Sequence, residues 1–377
     1  LVDGQWVKVN IPPMGYTVVD VSESKCQVHD IAAEHNVLEN DKLRVRFADD
    51  GSIESIYDKE YNREVLSKGS CGNRLAVYND NGDAWDFPIY YDQISCGYFK
   101  LQSASFHVDG PKAVAKQVYR YGSSTVEQEV ILTCGSRRID FATKVDWRES
   151  HKMLRTSFEV DVMTNEAVCD IQFGSIKRPV HRNTSWDMAK FEICAHKWVD
   201  LSQRDYGVAL LNDCKYGYKV HKNVIDLNLL RSSKYPDEQA DQGVHEFTYA
   251  LYPHPGDHVE GEVDKAGYEL NIAPGVIPLE PHNDGIMDDK KSFMEVEDEN
   301  IVVKAVKKAE DSNDIIIRLY ENSGAGTSGR IRLLFPFKSV HLVNMMEEEL
   351  EKLDTEGENV QLYFRPYEIH TLKVCVE

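Results

Sequence analysis

The stretch RIDFATKVDW, residues Arg138–Trp147, decides the fold class. Ile139, Phe141, Val145 and Trp147 fall on one side, and Asp140, Lys144 and Asp146 on the other. Alternation with period two is the signature of a strand with one buried face, whereas an amphipathic helix repeats at three and four residues. The pattern spreads outward from this run. LRVRF places Leu43, Val45 and Phe47 against Arg44 and Arg46, DDG at Asp49–Gly51 reads as a tight turn, and SIESIYD returns. GVALLND, EFTYALY, IIIRLYE, RIRLLF and VQLYFRPYEIHTLKVCV read the same way. The chain is therefore expected to be all-β. Helical pattern is confined to Gly256–Leu270 after Pro255, where Pro suits a first helical turn, and to MEEELEKL at Met346–Leu353.

The clearest boundary is Ile272–Ser292, rich in Pro, Gly and Asp and without period. About 85 residues follow, with five or six strand patterns, enough for a separate β-sandwich. The longer stretch before it suits a large two-sheet β-domain. The expected division is 1–30 as the tail of a preceding domain with a linker around SESKCQVHD, 31–279 as the large domain, 280–292 as linker, and 293–377 as the smaller sandwich. The chain opens on Leu1 in mid-strand and reads as a piece of something longer. SGAGTSG at Ser323–Gly329 reads as a β-turn joining two strands, not a phosphate loop.

Composition narrows the function classes. The 377 residues are 42% hydrophobic, enough for a sizeable core, and carry a formal net charge of -20. That charge argues against a nucleic-acid partner and against docking on an anionic membrane. A neutral, polyhydroxylated ligand is indifferent to it. The eight cysteines are scattered, without CxxC pairs, and several lie in apolar runs. They are expected to be reduced, buried thiols of a cytoplasmic protein.

Four stretches carry candidate chemistry. In YNDNGDAWDFPIYYD, Tyr78–Asp92, acidic side chains, a Gly turn and Trp85 come together. Carboxylates that fix hydroxyls and aromatic faces that cover C–H patches are what sugars require. The bland alternative is a surface turn with its Trp folded onto the core. Lys177–Asp213 contains His181, Trp186, Glu192 and His196, spaced unlike any standard zinc pattern. They read as structural. His254 and His258 in YPHPGDH read as part of a helix start. Finally, LLRSSKYPDEQADQGVHEFTYALYPH, Leu229–His254, breaks between two strands into a polar loop of about fifteen residues, a length often tied to function. It holds Arg231, Asp237, Asp241 and His245. An arginine fork with carboxylates suits a polyhydroxyl ligand. An internal Arg–Asp tie explains the same residues equally well.

LRVRFADDGSIESIYDKEYNREVL, KVDWRESHKMLRTSFEVDV, RPVHRNTSWDMAKFEICAHKWVDLSQRDYGVALLNDCKYGY, the Leu229–His254 stretch and FRPYEIHTLKV together resemble the C-terminal β region of glycoside hydrolase family 38 α-mannosidases, in their cytosolic and bacterial branch. The resemblance covers the chain from about Asn36. It implies a large β-supersandwich of galactose-mutarotase-like form followed by a smaller C-terminal β-sandwich. It also implies a parent enzyme that removes terminal mannosyl residues from oligosaccharides by a retaining route. Its zinc, zinc ligands and catalytic carboxylates would lie in an N-terminal catalytic domain outside this chain, and homo-oligomers are common among such enzymes. The fragment alone is then inactive, with no catalytic residue and no metal ligand of its own. By position Arg231 resembles an arginine that reaches the substrate site, and Asp83, Trp85 and Asp86 resemble a segment lining the same edge. Asp237, Asp241 and His245 are expected to order the loop and hold Arg231. Relatives tend to carry an earlier Trp-Asp here, where this chain has Asn81-Gly82. Two other classes stay open: a stand-alone carbohydrate-binding module and a purely structural support.

Overall fold

A computed structural model describes residues 2, 4–21, 30–279 and 288–376. Most of the expected linker around 22–30, with Cys26, and residues 280–287 of the second linker lie outside the described residues. The chain forms two compact units: Gln27–Ile171 with Ile176–Pro274, and Leu1–Cys26 with Gln172–Ser175 and Gly275–Glu377. Almost all regular structure is antiparallel β.

The larger unit is built on a nine-stranded and a six-stranded sheet, joined by a five-stranded one. Ile139–Trp147 sits inside the nine-stranded sheet, between Ser124–Thr133 and Gly243–Pro255. Its apolar side chains point where the alternation requires: Ile139, Phe141, Val145 and Trp147 are fully buried. They meet Leu154, Phe158, Ile225 and Leu227 of the six-stranded sheet in one core, with Phe141 and Phe158 5.6 Å apart. Each such side chain contributes about 1.5–3 kcal/mol on burial. Tyr206–Asn212 is buried along its whole length because its second face is covered too. The helix Val263–Asn271 lays Val263 and Ala266 on Ala209, Leu211 and Ala250.

The smaller unit pairs a four-stranded with a five-stranded sheet around Ile317, Leu319, Ile331, Leu333, Val360, Phe364, Leu372 and Val374. The fold is thus all-β, with sheets enclosing a core in each unit.

Several local expectations are corrected. The helix expected from Gly256 begins only at Val263. Pro255 is the last residue of a strand, Gly256 turns the chain at φ 57, and Asp257 Oδ1 accepts from the N–H groups of Val259 and Glu260. Met346–Leu353 is not a helix: Glu349–Leu353 is a strand paired with Ser339–Val343. SGAGTSG does lie between two strands, Ile315–Glu321 and Thr327–Leu333, and carries the chain from one sheet of the smaller unit to the other. The expected linker 280–292 ends in a strand, Lys290–Ser292, which pairs with Gly15–Thr17 of the segment read as an N-terminal tail. Seven described cysteines are free, but only Cys169 is buried, while Cys194 and Cys214 are exposed.

Candidate functional site at the outer face of the six-stranded sheet

Cross-strand partners share a face of a sheet. In the six-stranded sheet Lys219 pairs with Asp226, which pairs with Ser157; Arg231 pairs with Met153, which pairs with Tyr78. Arg155 stands on the same side, opposite Asn228. Leu154 and Phe158 point the other way, into the core. The outer face of this sheet is therefore charged, and segments 80–94 and 191–192 cover it.

Arg231 closes the strand Val224–Arg231 and turns its guanidinium under the loop 80–87. It forms an ion pair with Asp80 at 2.8 Å and donates to Asp80 Oδ1 (3.2 Å) and to the carbonyls of Asp83 (2.5 Å), Ala84 (3.3 Å) and Asp86 (2.8 Å). The Phe87 ring lies 4.4 Å from the guanidinium carbon. Asp80 is fully buried and the Arg231 side chain is 17% exposed, so this is a tie inside the protein first. Asp237, Asp241 and His245 act on the loop and on the main chain of Arg231, not on its guanidinium. Asp241 Oδ2 accepts from the Arg231 backbone N–H at 2.8 Å, His245 Nε2 meets the Asp241 carbonyl at 2.7 Å, and Asp237 Oδ1 accepts from Gln239 N. These three shape the loop and fix the arginine's main chain.

The 80–87 loop turns its own carboxylates inward as well. Asp83 Oδ1 accepts from the N–H groups of Trp85 and Asp86, both at 2.9 Å, and Asp86 Oδ1 from Phe87 N at 2.7 Å. One oxygen of each carboxylate stays outside these bonds. Trp85 is not folded onto the core: it is 73% exposed, edge-on to Tyr235, itself 63% exposed, at 6.1 Å. Ala84 N donates to the Tyr235 carbonyl at 2.9 Å, which locks the two loops together. The product is an aromatic ledge rimmed by Asp83 and Asp86.

Beneath it lies a charge network the sequence did not reveal. Arg155 is wholly buried and donates to Asp226 and to Glu192 Oε2 (3.0 Å), while Tyr91 donates to Glu192 Oε1 (2.6 Å). Burial opposes charging Arg155, but Asp226 and Glu192 overcome it and hold it protonated. Burial pushes Glu192 up despite the pull of Arg155, and burial with nearby Asp226 pushes Tyr78 to about 12. Tyr91 in turn packs edge-on to Phe87 at 5.2 Å. The loop thus rests on Arg231 at one point and on Arg155 at another. Asp80 and Tyr235 were missed for lack of any spacing signal, although both lie within the quoted stretches.

The other candidates do not join this site. His181 lies 3.5 Å from Asp187, His196 packs on Tyr216, His254 and Asp200 form a fully buried pair at 2.8 Å, and His258 tilts over Trp198 with its pKa lowered, chiefly by burial. Among the described residues no three His, Cys, Asp or Glu side chains are grouped as metal ligands. A guanidinium at the centre of the Arg231 cluster also makes it a poor cation site.

Residues 38–239 match the model of the glycosyl hydrolases family 38 C-terminal domain, and 300–372 that of the family 38 C-terminal β-sandwich domain. The chain belongs to glycoside hydrolase family 38. It is similar to α-mannosidase G of Dictyostelium discoideum, 36% identical over 398 residues, which cover 97% of this chain and 36% of that protein. The α-mannosidase of Saccharomyces cerevisiae is 30% identical over 392 residues, covering 90% of this chain and 35% of its own length. This family 38 chain thus spans about a third of the curated relatives it matches. An α-mannosidase structure from Enterococcus faecalis shares its fold, with TM-score 0.79 at 18% identity over 93% of this chain and 43% of that one.

Proposed function

We propose that this chain is the C-terminal β portion of an α-mannosidase that removes terminal α-D-mannosyl residues from oligosaccharides with retention. Family membership and the names of its relatives support the activity. The observation that carries a part for this chain in substrate binding is the Trp85–Tyr235 ledge, two large aromatic side chains held outward by Arg231 and Asp80. Its faces suit the C–H patches of a pyranose, and the outer oxygens of Asp83 and Asp86 suit its hydroxyls. Zinc and the two catalytic carboxyl groups would be supplied by another part of the longer protein, against which this portion packs. Zinc there would hold sugar hydroxyls. The residues of this chain only bind, orient and shield. Alone it is inactive. The free cysteines support a reducing, cytoplasmic setting.

Calorimetric titration of this chain with mannose and a short α-mannoside, beside aryl α-mannoside hydrolysis with added zinc, tests the reading. Neither binding nor turnover is expected. Binding without turnover would favour a stand-alone carbohydrate-binding module, the second reading that the exposed ledge supports. Zinc-dependent turnover by this chain would overturn both. In the longer enzyme, Arg231→Ala removes charged hydrogen bonds worth about 1.5–3 kcal/mol, so kcat/KM should fall about 10- to 100-fold. Unchanged kinetics would take Arg231 out of the site.

A further inference from the structure

A groove of about 480 Å³ lies where the chain passes from the edge strand Ser95–Tyr98 of the six-stranded sheet to the edge strand Lys100–Asp109 of the nine-stranded one. Its walls include Cys96, Tyr98, Lys100, Gln102, Arg120 and Tyr121. It is open to solvent, and Tyr98, Lys100, Gln102 and Arg120 are exposed. Lys100 and Arg120 are directly opposed across two neighbouring strands, an arrangement of like charges that destabilises a sheet.

Elsewhere this sheet obeys the opposite rule. Lys112 faces Asp109, Lys116 faces Glu129, and Lys144 faces both Glu127 and Glu246, with ion pairs of 3.5 Å at Lys116–Glu129 and 2.8 Å at Lys144–Glu246. Neither Lys100 nor Arg120 has a carboxylate within 4.0 Å among the described residues. The nearby acids are engaged otherwise: Asp50 faces Arg74 at 3.6 Å, and Glu149 Oε1 accepts from Ser123 N and Ser124 Oγ, both at 3.0 Å. Lys100 and Arg120 thus face each other across the strand pair with no carboxylate among the described residues to offset their repulsion.

The backbone is irregular at the same place. The pairing register skips Gln102 in one edge strand and Cys96 in the other, and both residues line the groove. Such bulges re-aim side chains and gather beside functional sites. Tyr98 presents a ring already stacked on one face by Arg74, 3.9 Å away.

We infer that this groove binds a small hydroxylated molecule carrying an oxyanion, with Lys100 and Arg120 on the anion and Gln102 and the tyrosines on its body. The groove is separate from the ledge: Ser95–Tyr98 lies three strands from Val224–Arg231, about 14 Å at the usual strand spacing. The inference therefore stands whether or not Arg231 touches a mannoside.

The test is calorimetric titration of the chain with glucose 6-phosphate, glucuronate and glucose. One of the two anions should bind with a submillimolar dissociation constant, and glucose should not. Preference for the phosphate assigns a phosphorylated sugar, and preference for glucuronate a sugar acid. Arg120→Gln should weaken binding about tenfold or more, the loss of a charge-assisted contact. Lys100→Glu should abolish binding and raise Tm without ligand, since it replaces a repulsive pair by an attractive one. Absence of anion binding, equal binding of glucose, or unchanged affinity in Arg120→Gln would each overturn the site.

Discussion

The Arg231 guanidinium makes four hydrogen bonds, all of them into the loop it supports, and among the described residues its acidic partner is Asp80. Asp80→Asn leaves the guanidinium mostly enclosed without a counter-charge. The expected cost is about 1–3 kcal/mol, read as a lower urea midpoint at unchanged m-value. Arg155 is the more deeply committed residue. Arg155→Met leaves Asp226 with only Lys219, 3.9 Å away, and Glu192 with only the Tyr91 hydroxyl, which should cost about 3–5 kcal/mol. Adding Asp226→Asn to that variant should recover part of the loss, because the stranded charge, not the missing arginine, is the larger penalty. A double variant no more stable than Arg155→Met would show that the arginine's packing dominates instead.

At the scale of the element, the 80–94 segment depends on a close approach at Gly82. A Cβ there would lie 1.9 Å from the Asp86 carbonyl oxygen. Gly82→Ala should therefore refold the loop and separate Trp85 from Tyr235 while leaving the far-ultraviolet circular dichroism unchanged. In the smaller unit, the sheet-to-sheet connection after Ile315–Glu321 is pinned by Glu321. Burial pushes its carboxyl up, but hydrogen bonds from Ser323, Tyr367, Ala325 and Asn300 outweigh that and leave its pKa lowered from 4.5. Stability from this group is complete above about pH 4.5 and is lost as pH falls through the lower folded value. Glu321→Gln should cost about 1–3 kcal/mol at pH 7, with the difference from wild type shrinking below pH 4.5 in parallel unfolding curves. Elements with strict alternation, such as Ile139–Trp147, were legible in the sequence because each face meets one environment. Glu349–Leu353 was not, because its Glu, Leu and Lys favour helix locally while pairing with Ser339–Val343 overrides them. The start of the helix at Val263 was hidden because Pro255, which suits a first helical turn, ends a strand instead. Within the site, Arg231 and Trp85 could be singled out, but Asp80, Tyr235 and Arg155 could not. Their roles come from strands and loops brought together across 70 to 150 residues, as in the contacts Arg155–Asp226 and Arg231–Asp80.

The molecule as a whole carries a separate buried core in each unit. Phe364 is fully buried in the smaller one, and Phe364→Ala should cost that unit about 3–5 kcal/mol. Calorimetry should resolve two transitions, with the variant moving one of them; a single transition shifting as a whole would show the units unfold together. The smaller unit is also discontinuous in sequence, and the pairing of Gly15–Thr17 with Lys290–Ser292 makes that a matter of timing. On a ribosome the first strand emerges roughly 275 residues before its partner, a wait of about 14–55 s at ordinary elongation rates. Throughout that interval a short strand edge has no mate, and the larger unit, which ends at Pro274, is completed shortly before that mate is made. Nascent chains stalled before Lys290 should therefore be protected from protease across the larger unit and cut near Gly15.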